Sequence, residues 1–235
     1  MARRTSPNRE MLERLARSVE PLLPELVFVG GHVAELLLTH PAAVRPRLTD
    51  DVDVIVAVTT RVGYHRFGDR LLALGLRHDA REGAPICRWR TEDGIPLDVM
   101  PVEGDVLGFT NPWYATAIQT AVEYPLASAL TIRISSAAAF IATKWAAFHD
   151  RGQDDVLGSH DLEDILAVVA GRPELTREIA EAPGAVRTAI AAETRAFLES
   201  RFALHAVEGA LPDARLIPGL VDDVMRRLRQ IAELA

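Results

Sequence analysis

The chain has 235 residues, 49% hydrophobic and 25% charged, enough to bury one large core or two small ones. Its longest apolar runs, such as VIVAV at 54–58, fall far short of the roughly 20 residues of a bilayer span. The basic start MARRTSPNRE leads into the amphipathic MLERLARSVEPLLPEL instead of an apolar signal core, so neither a membrane protein nor a secreted one is expected.

Cys87 is the single cysteine, which rules out an internal disulfide and any cysteine-based zinc or iron–sulfur site and fits a reducing cytoplasm. Any metal is then expected on carboxylates or histidines, and the scattered histidines lack zinc-ligand spacing. The net charge of −7 divides as +1, −4 and −4 over residues 1–50, 51–130 and 131–235, so no segment is a basic body that would grip nucleic acid nonspecifically. Lys144 is the only lysine among 26 cations, and its point charge binds phosphate differently from an arginine fork.

In chain order, Met11, Leu12, Leu15, Ala16 and Val19 give helical spacing over 8–20, ended by Pro21 and Pro24. Leu26–Val29 reads as a short strand, Gly30–Gly31 as a tight turn, and 33–39 as a helix stopped near Pro41. The clearest strand is 51–58, followed by a helix over 62–74 closed by Gly75. Strands at 86–90 and 95–101, separated by the turn-forming EDG at 92–94, read as a hairpin. The stretch 102–130, punctuated by Gly104, Gly108, Pro112 and Pro125, holds the expected domain boundary. Helices follow at 137–149, 162–169, 174–180, 185–202 and 220–234, with loops at 152–158 and 206–218. The expectation is an α/β (α+β) domain over 1–130 and a helical domain over 131–235.

Three acids stand out. Asp51 and Asp53, two apart at the mouth of an apolar strand, project to one side, where their repulsion calls for a cation. Asp98 interrupts another apolar strand, and if the two strands are neighbours three carboxylates converge. Hard divalent ions suit such a set, and two of them can clamp an in-line phosphoryl displacement. An ordinary acidic turn and an edge-strand acid remain the alternatives. Gly30 and Gly31, between a strand and a helix, suit close approach of a phosphate to free backbone N–H groups.

VFVGGHVAELL, RLTDDVDVIV and PLDVM together resemble the nucleotidyltransferase superfamily that includes the DNA polymerase beta-like enzymes. Gly30, Gly31, Asp51, Asp53 and Asp98 match its glycine turn, its DxD pair and its third acid. His32 departs from the small or hydroxyl residue that many members carry there. ATKWAAFHDRGQDDVLGSHDLEDIL resembles the lysine, arginine and DxxD motifs of the AbiEii-type toxins within that superfamily, through Lys144, Arg151, Asp161 and Asp164. Arg47 matches an RxTxD lead-in.

The resemblance implies a nucleotidyltransferase-type mixed sheet with flanking helices, a C-terminal helical domain, and an active site between the two. It implies two Mg²⁺ ions, with Mn²⁺ as an alternative, on Asp51, Asp53 and Asp98, and a nucleoside triphosphate on Gly30, Gly31, Arg47, Lys144 and Arg151. Asp161 is implied as a further catalytic acid, or as an ion-pair partner that pins the Lys144 helix. The implied reaction passes a nucleoside monophosphate to an acceptor hydroxyl and releases pyrophosphate. The acceptor would be RNA, with a tRNA 3′ end as candidate, as for a cytoplasmic toxin paired with an antitoxin. A small-molecule acceptor and a non-catalytic nucleotide-binding module are the other readings.

Overall fold

The structure is a computed structural model and describes residues 6–40, 44, 47–150, 155–211 and 217–234. The chain forms two compact units, residues 1–33 with 48–136, and residues 34–47 with 137–235. Among the described residues no helix is long and apolar enough to cross a membrane.

The first unit is built on a seven-stranded mixed sheet. Its strands are β1 (Leu26–Val29), β2 (Val52–Val56), β3 (Arg77–His78), β4 (Arg88–Arg90), β5 (Pro96–Pro101), β6 (Val122–Pro125) and β7 (Thr131–Ile134), in spatial order β3-β4-β5-β2-β1-β7-β6. The middle strands are the apolar ones: Leu26, Val27, Phe28, Val52, Val54, Ile55, Leu97 and Val99 are all buried. Strands covered on both faces read as continuous β-branched runs, as these do. The edges are blunted in ways that discourage further pairing. β3 is only two residues long, both exposed, and β6 ends in Pro125, which has no N–H to offer.

Helix α1 (Pro7–Ser18) precedes β1, and α2 (Gly30–Leu37), α3 (Arg61–Ala73), α4 (Gly104–Leu107) and α5 (Tyr114–Gln119) come between the strands. Pro21 and Pro24 lie in a 3₁₀ turn, Glu20–Glu25, that follows α1. Ser6 caps α1 by accepting from the Arg9 N–H, with Pro7 at the first helical position, and Thr60 caps α3 by accepting from the Gly63 N–H. The 102–130 stretch therefore carries structure that its glycines and prolines obscure, namely α4, α5 and β6.

The second unit is helical: α6 (Ala137–Asp150), α7 (His160–Gly171), α8 (Leu175–Glu181), α9 (Gly184–Glu199), α10 (Ala203–Ala210) and α11 (Leu220–Ala232). The expected loop at 206–218 is in part α10, whose Ala203, Ala206 and Val207 are buried. Its few apolar residues are mostly alanine, which leaves a weak periodic signal. Helix α6 is buried on nearly every side, from Ala137 through Trp145 and at Phe148, and packs against α7 and α9. By contrast α11 is one-sided, burying Leu220, Val224, Leu228 and Ile231 at successive turns. Arg227 on α11 donates to the Val169 and Ala170 carbonyls at the end of α7 (2.8 and 3.0 Å), satisfying acceptors that a helix terminus leaves open.

Candidate functional site

The sheet places the acids. β1 and β2 pair antiparallel with Val29 opposite Asp53, and β2 and β5 pair parallel with Asp53 opposite Asp98. Neighbouring strands lie about 4.8 Å apart, and partners in register share a face, so Asp53 and Asp98 stand side by side. Asp51 precedes β2, on the approach to the same end of the strand.

Arg88 gathers two of these acids. It lies opposite Asp98 in the β4–β5 hairpin, and its Nε and Nη2 donate to Asp98 Oδ1 and Oδ2 at 2.8 and 2.7 Å. The same Nη2 donates to Asp51 Oδ2. A planar guanidinium suits this forked geometry where a lysine would not. Hydrogen bonding to Asp98 leads the effects that hold the guanidinium's pKa above its ordinary value, with the charges of Asp98 and Asp51 behind it and burial opposing. Burial likewise pushes the neighbouring Cys87 thiol up to about 12, with the charges of Asp98 and Asp53 adding to it.

Gly30 shapes the other wall. Its φ of +73° is in the left-handed region, and a Cβ there would meet Asp53 Oδ2 at 1.9 Å, so the Asp53 carboxylate packs directly on the bare backbone where α2 begins. Gly31 follows, buried, in the first turn of α2. His32 then turns its Nδ1 to the Thr49 hydroxyl, 2.7 Å away with both groups buried, and the Thr49 N–H donates to Asn8 Oδ1 at 3.2 Å. The departure at His32 is thus a brace on the segment that enters Asp51.

The second unit holds the other predicted residues. Lys144, 5% exposed in the middle of α6, places Nζ 2.9 Å from Asp161 Oδ1 and 2.6 Å from Asp164 Oδ2, both on α7. Burial works to lower the pKa of this ammonium, and the charges of Asp164 and Asp161 outweigh it and raise the pKa. Arg47 Nη2 lies 3.9 Å from Asp164 Oδ2, at the outer limit of an ion pair. Ser159 caps α7 by accepting from the Leu162 N–H at 3.3 Å. Arg151 lies outside the described residues.

Two groups therefore emerge: Asp51, Asp53, Asp98, Gly30 and Arg88 in the sheet unit, and Lys144, Asp161, Asp164 and Arg47 in the helical unit. Among the described residues no three or more of His, Cys, Asp and Glu are disposed to hold a metal ion. Asp51 and Asp98 converge on the guanidinium instead. The donor chemistry nevertheless fits a hard divalent cation, since all three groups are carboxylates and a positive charge already sits between two of them.

No family model matches the sequence, and no curated protein does. The chain is similar to several solved structures, among them these two. One is described as an antigenic nucleotidyltransferase-like protein from Paracoccidioides brasiliensis, 17% identical over 93% of this chain and 92% of that one, with a TM-score of 0.47. The other is JHP933 from Helicobacter pylori, 14% identical over 98% of this chain and 93% of that one, also with a TM-score of 0.47. The functional reading rests on the geometry of the site.

Proposed function

We propose that the protein is a metal-dependent nucleotidyltransferase that moves a nucleoside monophosphate from a nucleoside triphosphate to an acceptor hydroxyl. The observation that carries this reading is the β2–β5 register, which sets Asp53 beside Asp98 while Gly30 opens the backbone against Asp53. Asp51, Asp53 and Asp98 would hold Mg²⁺ or Mn²⁺, which when bound supplies charge neutralisation and Lewis acidity toward the phosphates. The Gly30–Gly31 turn offers backbone N–H groups at the start of α2 to the triphosphate. The carboxylates fix where positive charge sits, and catalysis is then mainly positioning and electrostatic stabilisation. Lys144 and Asp161 serve the helical unit by pinning α6 to α7 through a buried ion pair.

The resemblance of the motifs around Lys144 and Asp161 to those of the AbiEii-type toxins favours an RNA acceptor, with a tRNA 3′ end as the candidate, and the role of a toxin held in check by an antitoxin. The test is incubation with Mg²⁺, each labelled nucleoside triphosphate in turn, and total RNA. Label on RNA that is lost in Asp53→Ala supports the RNA reading, and label only on small molecules supports a small-molecule acceptor. A second reading is favoured by the Arg88 bridge, which already neutralises Asp51 and Asp98: a module that binds nucleotide without transferring it. Triphosphate binding with no transfer to any acceptor is the outcome that selects it.

A further inference from the structure

Asp98 spends both carboxylate oxygens on Arg88, and Asp51 spends Oδ2 on the same guanidinium nitrogen. A divalent ion bound to these carboxylates at about 2.1 Å would stand within a few ångströms of that guanidinium, where two cations repel across a partly buried site. The site thus has one place for positive charge and two claimants. Arg88 also has a way out, because it lies on β4, one strand from the edge of the sheet, and its side chain keeps 19% exposure.

We propose that Arg88 competes with divalent metal for Asp51 and Asp98, so that this arginine sets the metal concentration at which the carboxylate site loads. The proposal rests on reading Asp51, Asp53 and Asp98 as metal ligands, and concerns a residue to which that reading gives no task. While it holds the two acids, Arg88 relieves their repulsion. A metal that replaces it must supply more than the fork of hydrogen bonds it breaks. An Arg88 variant would then fold less stably without metal and take up metal more readily.

The experiment titrates the full chain with Mn²⁺ alone, without nucleotide, and follows free Mn²⁺ by electron paramagnetic resonance. Arg88→Met is expected to bind Mn²⁺ on the order of tenfold more tightly than the native chain, the range set by losing hydrogen bonds to charged groups. Its melting temperature in EDTA should fall and recover with Mn²⁺ more than the native protein's. Arg88→Lys keeps the charge and loses the fork, so its affinity should lie between the two, and it carries the test if Arg88→Met does not fold. A folded variant with native or weaker affinity overturns the proposal, as does a chain that takes up no Mn²⁺ at millimolar concentration. Failure of nucleotidyl transfer with Mn²⁺ uptake intact would count against the enzymatic reading alone.

Discussion

The Asp53 carboxylate occupies the space that a side chain at position 30 would need, with Oδ2 only 1.9 Å from where a Gly30 Cβ would stand. Gly30→Ala must therefore move Asp53 as well as strain a backbone held at φ +73°. The strain alone costs about 1–3 kcal/mol. We expect urea denaturation to show a loss at least that large, and Mn²⁺ binding to weaken in whatever protein still folds. Native stability in the variant would remove the argument for a close approach here.

Lys144 and its two aspartates behave as one buried unit. Lys144→Met leaves two carboxylates facing each other at 6% and 3% side-chain exposure, and should cost about 3–5 kcal/mol. Adding Asp161→Asn and Asp164→Asn should recover a large part of that loss, because the repelling charges go too. Equilibrium denaturation of the three-substitution chain against Lys144→Met checks the pair, and no recovery would mean that the cost lies in packing.

Two groups should make stability fall on the alkaline side. The Cys87 thiol titrates near 12 in the folded protein against an ordinary value of 9.0, so its contribution is intact below pH 9 and is lost between pH 9 and 12. Lys144, raised above 10.5, contributes fully below that pH and loses its contribution as pH rises through its higher folded value. Cys87→Ala should remove the loss that sets in above pH 9 and leave the one due to Lys144. A thiol reagent at pH 8 should leave the folded native chain unlabelled, since Cys87 is 4% exposed.

Ser159→Ala removes the hydroxyl that caps α7 and should cost about 1 kcal/mol. Ser159→Asp, which keeps an acceptor at the positive end of the helix, should cost less. Thermal melts of the two variants side by side decide this, and equal losses would refute the capping role.

Local patterns in the chain predict some of the site well. Leu26–Val29 is a strand over its expected span, and the EDG turn does join a hairpin of β4 and β5. Folding that hairpin about Asp93 sets Arg88 opposite Asp98, so the hairpin's own register implies the arginine beside the acid. The β2–β5 pairing is different in kind. It joins strands far apart in the chain, and no periodicity within either one specifies its neighbour. The same holds for the His32–Thr49 contact, which depends on how α2 meets the segment that leads into β2. β3, β6 and β7 are two to four residues long, too short for alternation to register, and β7 is set by its partners, Phe28 on β1 and the whole of β6.

The parallel pairing of β1 with β7 has a further consequence during translation. Phe28 meets its partner Ile134 only after more than a hundred further residues have been made, and Asp51 and Asp53 emerge well before Arg88 and Asp98. For that interval the ribosome carries an apolar strand with an open flank and an Asp51 whose Arg88 partner has not yet been made. Folding of this half is therefore expected to wait for the nascent chain to pass Ile134 and to be slow for its length, with chaperones the natural guardians of the gap.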